Sequence, residues 1–96
     1  MIEQLPKKIQ STIEWLRLQL PEDASLFLFG SQVKGNKTGS DYDIGIKCKT
    51  EIEWKKFCLI KNEAEERAWP YKIDLVDLKR APKEFLEVVE KEAIEI

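Results

Sequence analysis

FGSQVKGNKTGSDYDIGI, residues 29 to 46, sets two aspartates one residue apart behind a polar stretch spotted with glycine. From Asp41 onward polar and apolar residues alternate, so DYDIGIK (41–47) reads as a β-strand. On it Asp41, Asp43, Gly45 and Lys47 share one face, and Tyr42, Ile44, Ile46 and Cys48 share the other. The apolar set belongs against helices, which turns both aspartates toward a cleft. Carboxylates two strand rises apart, roughly 6.5 Å, can share one cation. The same DxD after Gly39-Ser40 also fits ordinary turn chemistry, so the rest of the chain has to decide.

Upstream, SLFLF (25–29) is short and continuously apolar, as expected of a strand buried on both faces. Residues 31–40 form a loop, with one helical turn after Ser31. That loop is too short for a helical crossover, so the two strands it joins should be antiparallel neighbours. Before them Ile2, Leu5, Ile9, Ile13, Leu16 and Leu20 recur at helical spacing, with Trp15 as core packing. Pro6 falls in the first turn of this helix and Pro21 just past its end.

Downstream, residues 51–68 read as a second helix with Trp54, Phe57, Cys58 and Ala64 or Ala68 inward. Pro70 ends it, and YKIDLVDL (71–78) is a third strand. There Asp74 shares a face with Lys72 and Val76, opposite Ile73 and Leu75. A last helix from Pro82 carries Phe85, Leu86 and Val89 on one side, and AIEI either frays or adds a short edge strand. The fold class is α/β (α+β): a small mixed sheet of three to four strands with helices packed on one face.

Ninety-six residues imply one domain, 1–96. Hydrophobic residues at 43% and charged ones at 35% indicate a globular chain. No apolar run reaches the ~20 residues of a membrane span, and MIEQLPKKIQ lacks a signal-peptide core, so a cytoplasmic protein is expected. A net charge of −2 without a basic stripe argues against non-specific nucleic-acid binding. Cys48 and Cys58 are expected as reduced, buried filler. The chain has no histidine, which removes the commonest general base and zinc ligand.

What chemistry remains rests on carboxylates. Asp41, Asp43 and Asp74 on one face repel one another unless a cation sits among them, and hard oxygen donors favour Mg²⁺ or Mn²⁺. Asp77 falls on the other face near a strand end and reads as a turn or surface residue. Gly30 lets backbone approach a ligand, and Ser31 offers a hydroxyl and N–H groups suited to a phosphate, although Ser31 also fits a plain helix cap.

LFGSQVKGNKTGSDYDIGI, with nine residues between Gly30-Ser31 and Asp41-Tyr42-Asp43, resembles the GS…DxD signature of the polymerase-beta-like nucleotidyltransferases. KIDLVDL resembles the strand that brings their third carboxylate. The likeness is nearest to the minimal nucleotidyltransferase (MNT) domain and runs from about Leu26 to the C-terminus. It implies the nucleotidyltransferase fold, with Gly30, Ser31, Lys34 and Ser40 holding the nucleotide. It also implies that Asp41, Asp43 and Asp74 are catalytic residues and ligands of two Mg²⁺ ions, or Mn²⁺. Gln32 and Lys34 stand where family members often carry arginine, so one phosphate-directed charge is missing.

In such enzymes a hydroxyl attacks the α-phosphorus of ATP and pyrophosphate leaves, with no need of histidine. This chain has no room for the helical acceptor-binding domain of larger members, so the acceptor is expected on another chain. MNT proteins are commonly paired with a HEPN-domain toxin from a neighbouring gene. The resemblance therefore implies an antitoxin that transfers AMP from ATP to a tyrosine of that partner. A module that neutralises its partner by contact alone, or an enzyme modifying a small molecule or RNA, are the alternatives.

Overall fold

The computed structural model describes residues 2–29 and 41–96. Its elements are a 3₁₀ turn at Ile2–Gln4, α1 (Lys7–Gln19), β1 (Ser25–Phe29), β2 (Asp41–Lys47), α2 (Trp54–Ala68), β3 (Lys72–Asp77), α3 (Lys83–Glu92) and β4 (Ile94–Glu95). The four strands form one sheet in the order β3-β2-β1-β4. β1 runs antiparallel to β2 and to β4, and β2 runs parallel to β3. The mixed sheet and the antiparallel first pair are as expected. The C-terminal residues take the edge-strand alternative, with Phe27 opposite Glu95 and Leu28 opposite Ile94.

α1 begins after Pro6 rather than around it. A proline disfavours helical backbone at the residue before it, so the apolar stripe starts in a separate turn and the helix opens with Pro6 as its cap. The Gln10 N–H then closes the first turn on the Pro6 carbonyl at 2.9 Å. Ile9, Ile13 and Leu16 are completely buried, and Thr12 joins them by returning its hydroxyl to the Lys8 carbonyl at 2.7 Å. Trp15 sits at the rim of the core, half-buried, with the Arg67 guanidinium 4.6 Å above its ring.

α2 buries Phe57, Ile60, Ala64 and Ala68, a strict three- and four-residue rhythm. The two alanines leave room for close approach of α1. Trp54 does not point inward as expected. Standing in the first turn of α2, beyond the end of the packed stripe, it is exposed, stacks on Phe57 at 5.7 Å and lies 5.4 Å from the Arg80 guanidinium. Cys58 lies off the buried line and is half-exposed, as is Cys48, so neither free thiol is buried filler. Cys48 instead donates to the Thr50 carbonyl.

Leu26, Leu28, Tyr42, Ile44, Ile46, Ile73 and Leu75 form the sheet face that meets α1 and α2. Burying each such large side chain contributes about 1.5–3 kcal/mol, which makes this layer the main source of stability. β1 is not buried on both faces: Leu26 and Leu28 are enclosed, while Phe27 and Phe29 are only half-covered. Their cover comes from α3, so the helices do not all pack on one face as expected. α1 and α2 share the first, and α3 lies across the opposite one, where the half-covered Phe27 and Phe29 need a partner. Phe85 meets Phe29 edge-on at 5.6 Å. Leu78 presses on the same face at Gly45, where an added Cβ would fall 2.9 Å from a Leu78 methyl. A side chain there would displace Leu78, so glycine is the residue that fits.

Asp77 proves to be the last residue of β3, where the turn starts, and it is buried rather than on the surface. At 7% exposure it accepts the Lys79 N–H at 3.1 Å and pairs with the Arg80 guanidinium at 2.5 Å, fixing the exit from β3. Replacing it by alanine leaves the part-buried Lys79 N–H without its acceptor and reduces the Arg80 guanidinium to its weaker contact with Glu51 at 3.4 Å. Asp77→Ala should therefore lower the unfolding free energy by about 1–3 kcal/mol, measured as a reduced urea midpoint at unchanged slope.

Candidate active site at the starts of two parallel strands

The parallel ladder between β2 and β3 builds the site. It places Asp41 opposite Lys72, Asp43 opposite Asp74, and Gly45 opposite Val76. Partners in register point to the same side, so the three aspartates occupy one sheet face, and neighbouring strands lie only about 4.8 Å apart. α2 makes this possible. It is the crossover that lets β3 return parallel to β2, and Pro70 ends it so that β3 enters in that register.

The three positions differ in environment. Asp41, at the strand start, is exposed, with Lys72 as its cross-strand neighbour. Asp43 is half-buried between Phe29 on β1 and Asp74 on β3. Its carboxyl is pushed above the ordinary Asp value, first by burial, then by the charge of Asp74, then by that of Asp41. Asp74 lies on the edge strand, more than half exposed, and pairs with Lys61 of α2 at 3.3 Å. Among the described residues no group of three or more Asp, Glu, Cys or His side chains is drawn together tightly enough to hold a metal ion. The aspartates thus share a face without closing on a common point. As a donor set, three carboxylates on one sheet face suit a hard divalent cation, which offsets the repulsion of like charges.

A pocket of about 440 Å³ opens at these strand starts, lined by Asp41, Asp43, Asp74, Lys72, Tyr71 and Trp69, among others. Tyr42, whose side chain belongs to the apolar face, also lines it, buried and edge-on to Tyr71 at 6.1 Å; burial pushes its phenol pKa up and keeps it neutral. Trp69, 70% exposed, stands on the rim where α2 ends. Sequence reading missed Lys61, Glu65, Trp69, Tyr71 and Lys72 as site neighbours. The available signal was Trp69-Pro70, a helix stop immediately before the third carboxylate strand. Gly30, Ser31, Lys34 and Ser40 lie outside the described residues, as does the helical turn expected after Ser31.

Residues 8–96 match the model of the polymerase beta nucleotidyltransferase family. The chain belongs to that family. A probable protein adenylyltransferase, MntA, of Haemophilus influenzae is 31% identical over 74 residues, which cover 76% of this chain and 65% of that protein. The chain therefore spans just under two thirds of that relative's length. Among solved structures, a toxin–antitoxin complex with AMP-PNP contains a chain that is 23% identical with a TM-score of 0.77, covering 91% of this chain and 70% of that one. A complex of a tri-AMPylated Shewanella oneidensis HEPN toxin with an MNT antitoxin matches at 21% identity and a TM-score of 0.73, covering 99% of this chain and 71% of that one. At these identities the likeness is one of fold, and it agrees with the expected nucleotidyltransferase architecture.

The raised Asp43 pKa has a definite sign. The folded chain holds this proton more tightly than the unfolded chain, so ionised Asp43 opposes folding at neutral pH and ceases to do so in acid. In EDTA, Asp43→Asn should raise the thermal midpoint at pH 7. The gain should shrink as pH falls into the ordinary Asp range, as followed by circular dichroism melts.

Proposed function

We propose that this chain is a single-domain, Mg²⁺-dependent nucleotidyltransferase that moves AMP from ATP to a hydroxyl of a partner protein. On this reading residues 1–96 act in the cytoplasm. The acceptor is a tyrosine of a HEPN-domain toxin encoded nearby, which the transfer neutralises. The observation that carries the proposal is the Asp43–Asp74 register with Asp41 on the same face, in a member of the nucleotidyltransferase family. The adenylyltransferase name of the Haemophilus relative and the AMPylated toxin in a matched complex support the choice of acceptor.

The residues divide the work by position. Asp41, Asp43 and Asp74 would hold Mg²⁺ or Mn²⁺, and a divalent ion there supplies charge neutralisation for the phosphates. Asp43, partly withdrawn from water, presents its carboxylate where solvent screens it least. Asp74, on the exposed edge strand, is the carboxylate that a bulky protein acceptor can reach, and it orients the incoming hydroxyl. That oxygen forms its bond to the α-phosphorus as the bond to the bridging oxygen breaks and pyrophosphate departs; the hydroxyl proton passes to Asp74 or to solvent. Gly30, Ser31, Lys34 and Ser40 are assigned to the triphosphate. Correct placement of reactants accounts for most of the acceleration in this kind of transfer, so no histidine is needed.

Incubation with α-labelled ATP, Mg²⁺ and the product of the neighbouring gene should label that product and raise its mass by whole AMP units. Asp43→Ala should cut the labelling by at least about 100-fold, the scale of losing a key electrostatic group in a transferase site. Neutralisation of the partner that survives this substitution without any label would instead establish a module acting by contact.

A further inference from the structure

Lys61 has no part in the signature that marks the site, yet it reaches one of the three carboxylates. It follows the buried Ile60 on α2, one turn beyond Phe57, on a helix packed against the apolar sheet face. Asp74 points from the other face. The two meet because β3 is the open edge of the sheet, so a long side chain can pass around it. The ammonium lies 3.3 Å from Asp74 Oδ1, above a groove that Trp54, Phe57, Leu75 and Val76 also line. Among the described residues this is the ion pair that any of the three aspartates makes, and in the same arrangement the carboxylates do not close on a common point.

We infer that Lys61 is a positioning residue that acts as a built-in counter-ion for Asp74 and competes with the divalent cation for it. The inference rests on the carboxylate-site reading above. With no divalent ion bound, the ammonium offsets part of the repulsion between Asp74 and Asp43 and holds the Asp74 carboxylate toward the sheet edge. For Asp74 to turn to a shared ion, that pair has to open, and the ammonium also adds a like charge beside the incoming cation. Both effects weaken metal binding. The pair is solvent-exposed on both sides, so the competition is modest, of the size of a surface ion pair.

The test is Mn²⁺ binding to the intact chain, read by the electron paramagnetic resonance of free Mn²⁺. Lys61→Gln should tighten Mn²⁺ binding about two- to five-fold, the worth of an exposed ion pair. Lys61→Arg, which keeps the charge, should restore wild-type affinity. In an Asp74→Asn background, Lys61→Gln should make no further difference. Lys61 lies on a half-exposed surface, and circular dichroism would confirm that each variant is folded. Unchanged or weaker binding in Lys61→Gln, with wild type binding Mn²⁺, overturns the role of Lys61 and leaves the site standing. Absence of Mn²⁺ binding in both proteins, with ATP as well as without, overturns the site itself and the competition with it.

Discussion

Everything distinctive about this chain depends on one parallel strand pairing, β2 against β3, which puts Asp43 and Asp74 side by side. Two like charges on adjacent strands are unfavourable, and the raised proton affinity of Asp43 reflects first its burial and then the charges of Asp74 and Asp41. The apolar layer on the reverse of the same strands holds the pairing. Tyr42, Ile44 and Ile46 of β2, with Ile73 and Leu75 of β3, are buried beneath α1 and α2. A slip by one residue would exchange aspartates for isoleucines on both faces, so the core enforces the register that the carboxylates oppose.

The two sheet faces serve different ends. One is closed by α1 and α2 and supplies stability. The other is covered only in part: α3 and Leu78 shield Phe27, Phe29 and Gly45. The stretch from Asp43 to the strand starts opens into the pocket rimmed by Trp69 and Tyr71. β3 sits on the sheet edge, so Asp74 faces solvent and is within reach of Lys61. The same exposure makes the site sensitive to charges that lie on elements outside the signature.

Much of this was legible along the chain. The alternation in DYDIGIK and KIDLVDL separated aspartates from isoleucines correctly, because strand side chains alternate whatever packs on them. The stripe of α1 and the antiparallel β1–β2 pair followed from spacing and loop length. Errors fell where spacing carries no information. Helical phase points Trp54 inward, but it stands past the end of the packed stripe. Cys58 lies just off that stripe, and Phe27 and Phe29 look like fully buried residues until the thin cover of α3 is known. The sequence puts Asp77 near a strand end but not in a buried place, since the Arg80 that pairs with it approaches only once the turn is made.

The amino-acid sequence determined which side chains share a face, where helices stop, and which residue types are present for chemistry, because these follow from local geometry and composition. Tertiary structure decided that β3 returns parallel to β2 with Asp74 beside Asp43, that β3 lies at an edge, and that Lys61 crosses that edge to reach Asp74. Those are relations between segments distant in sequence. They are set by how the helices bury their apolar faces, and no local pattern records that outcome.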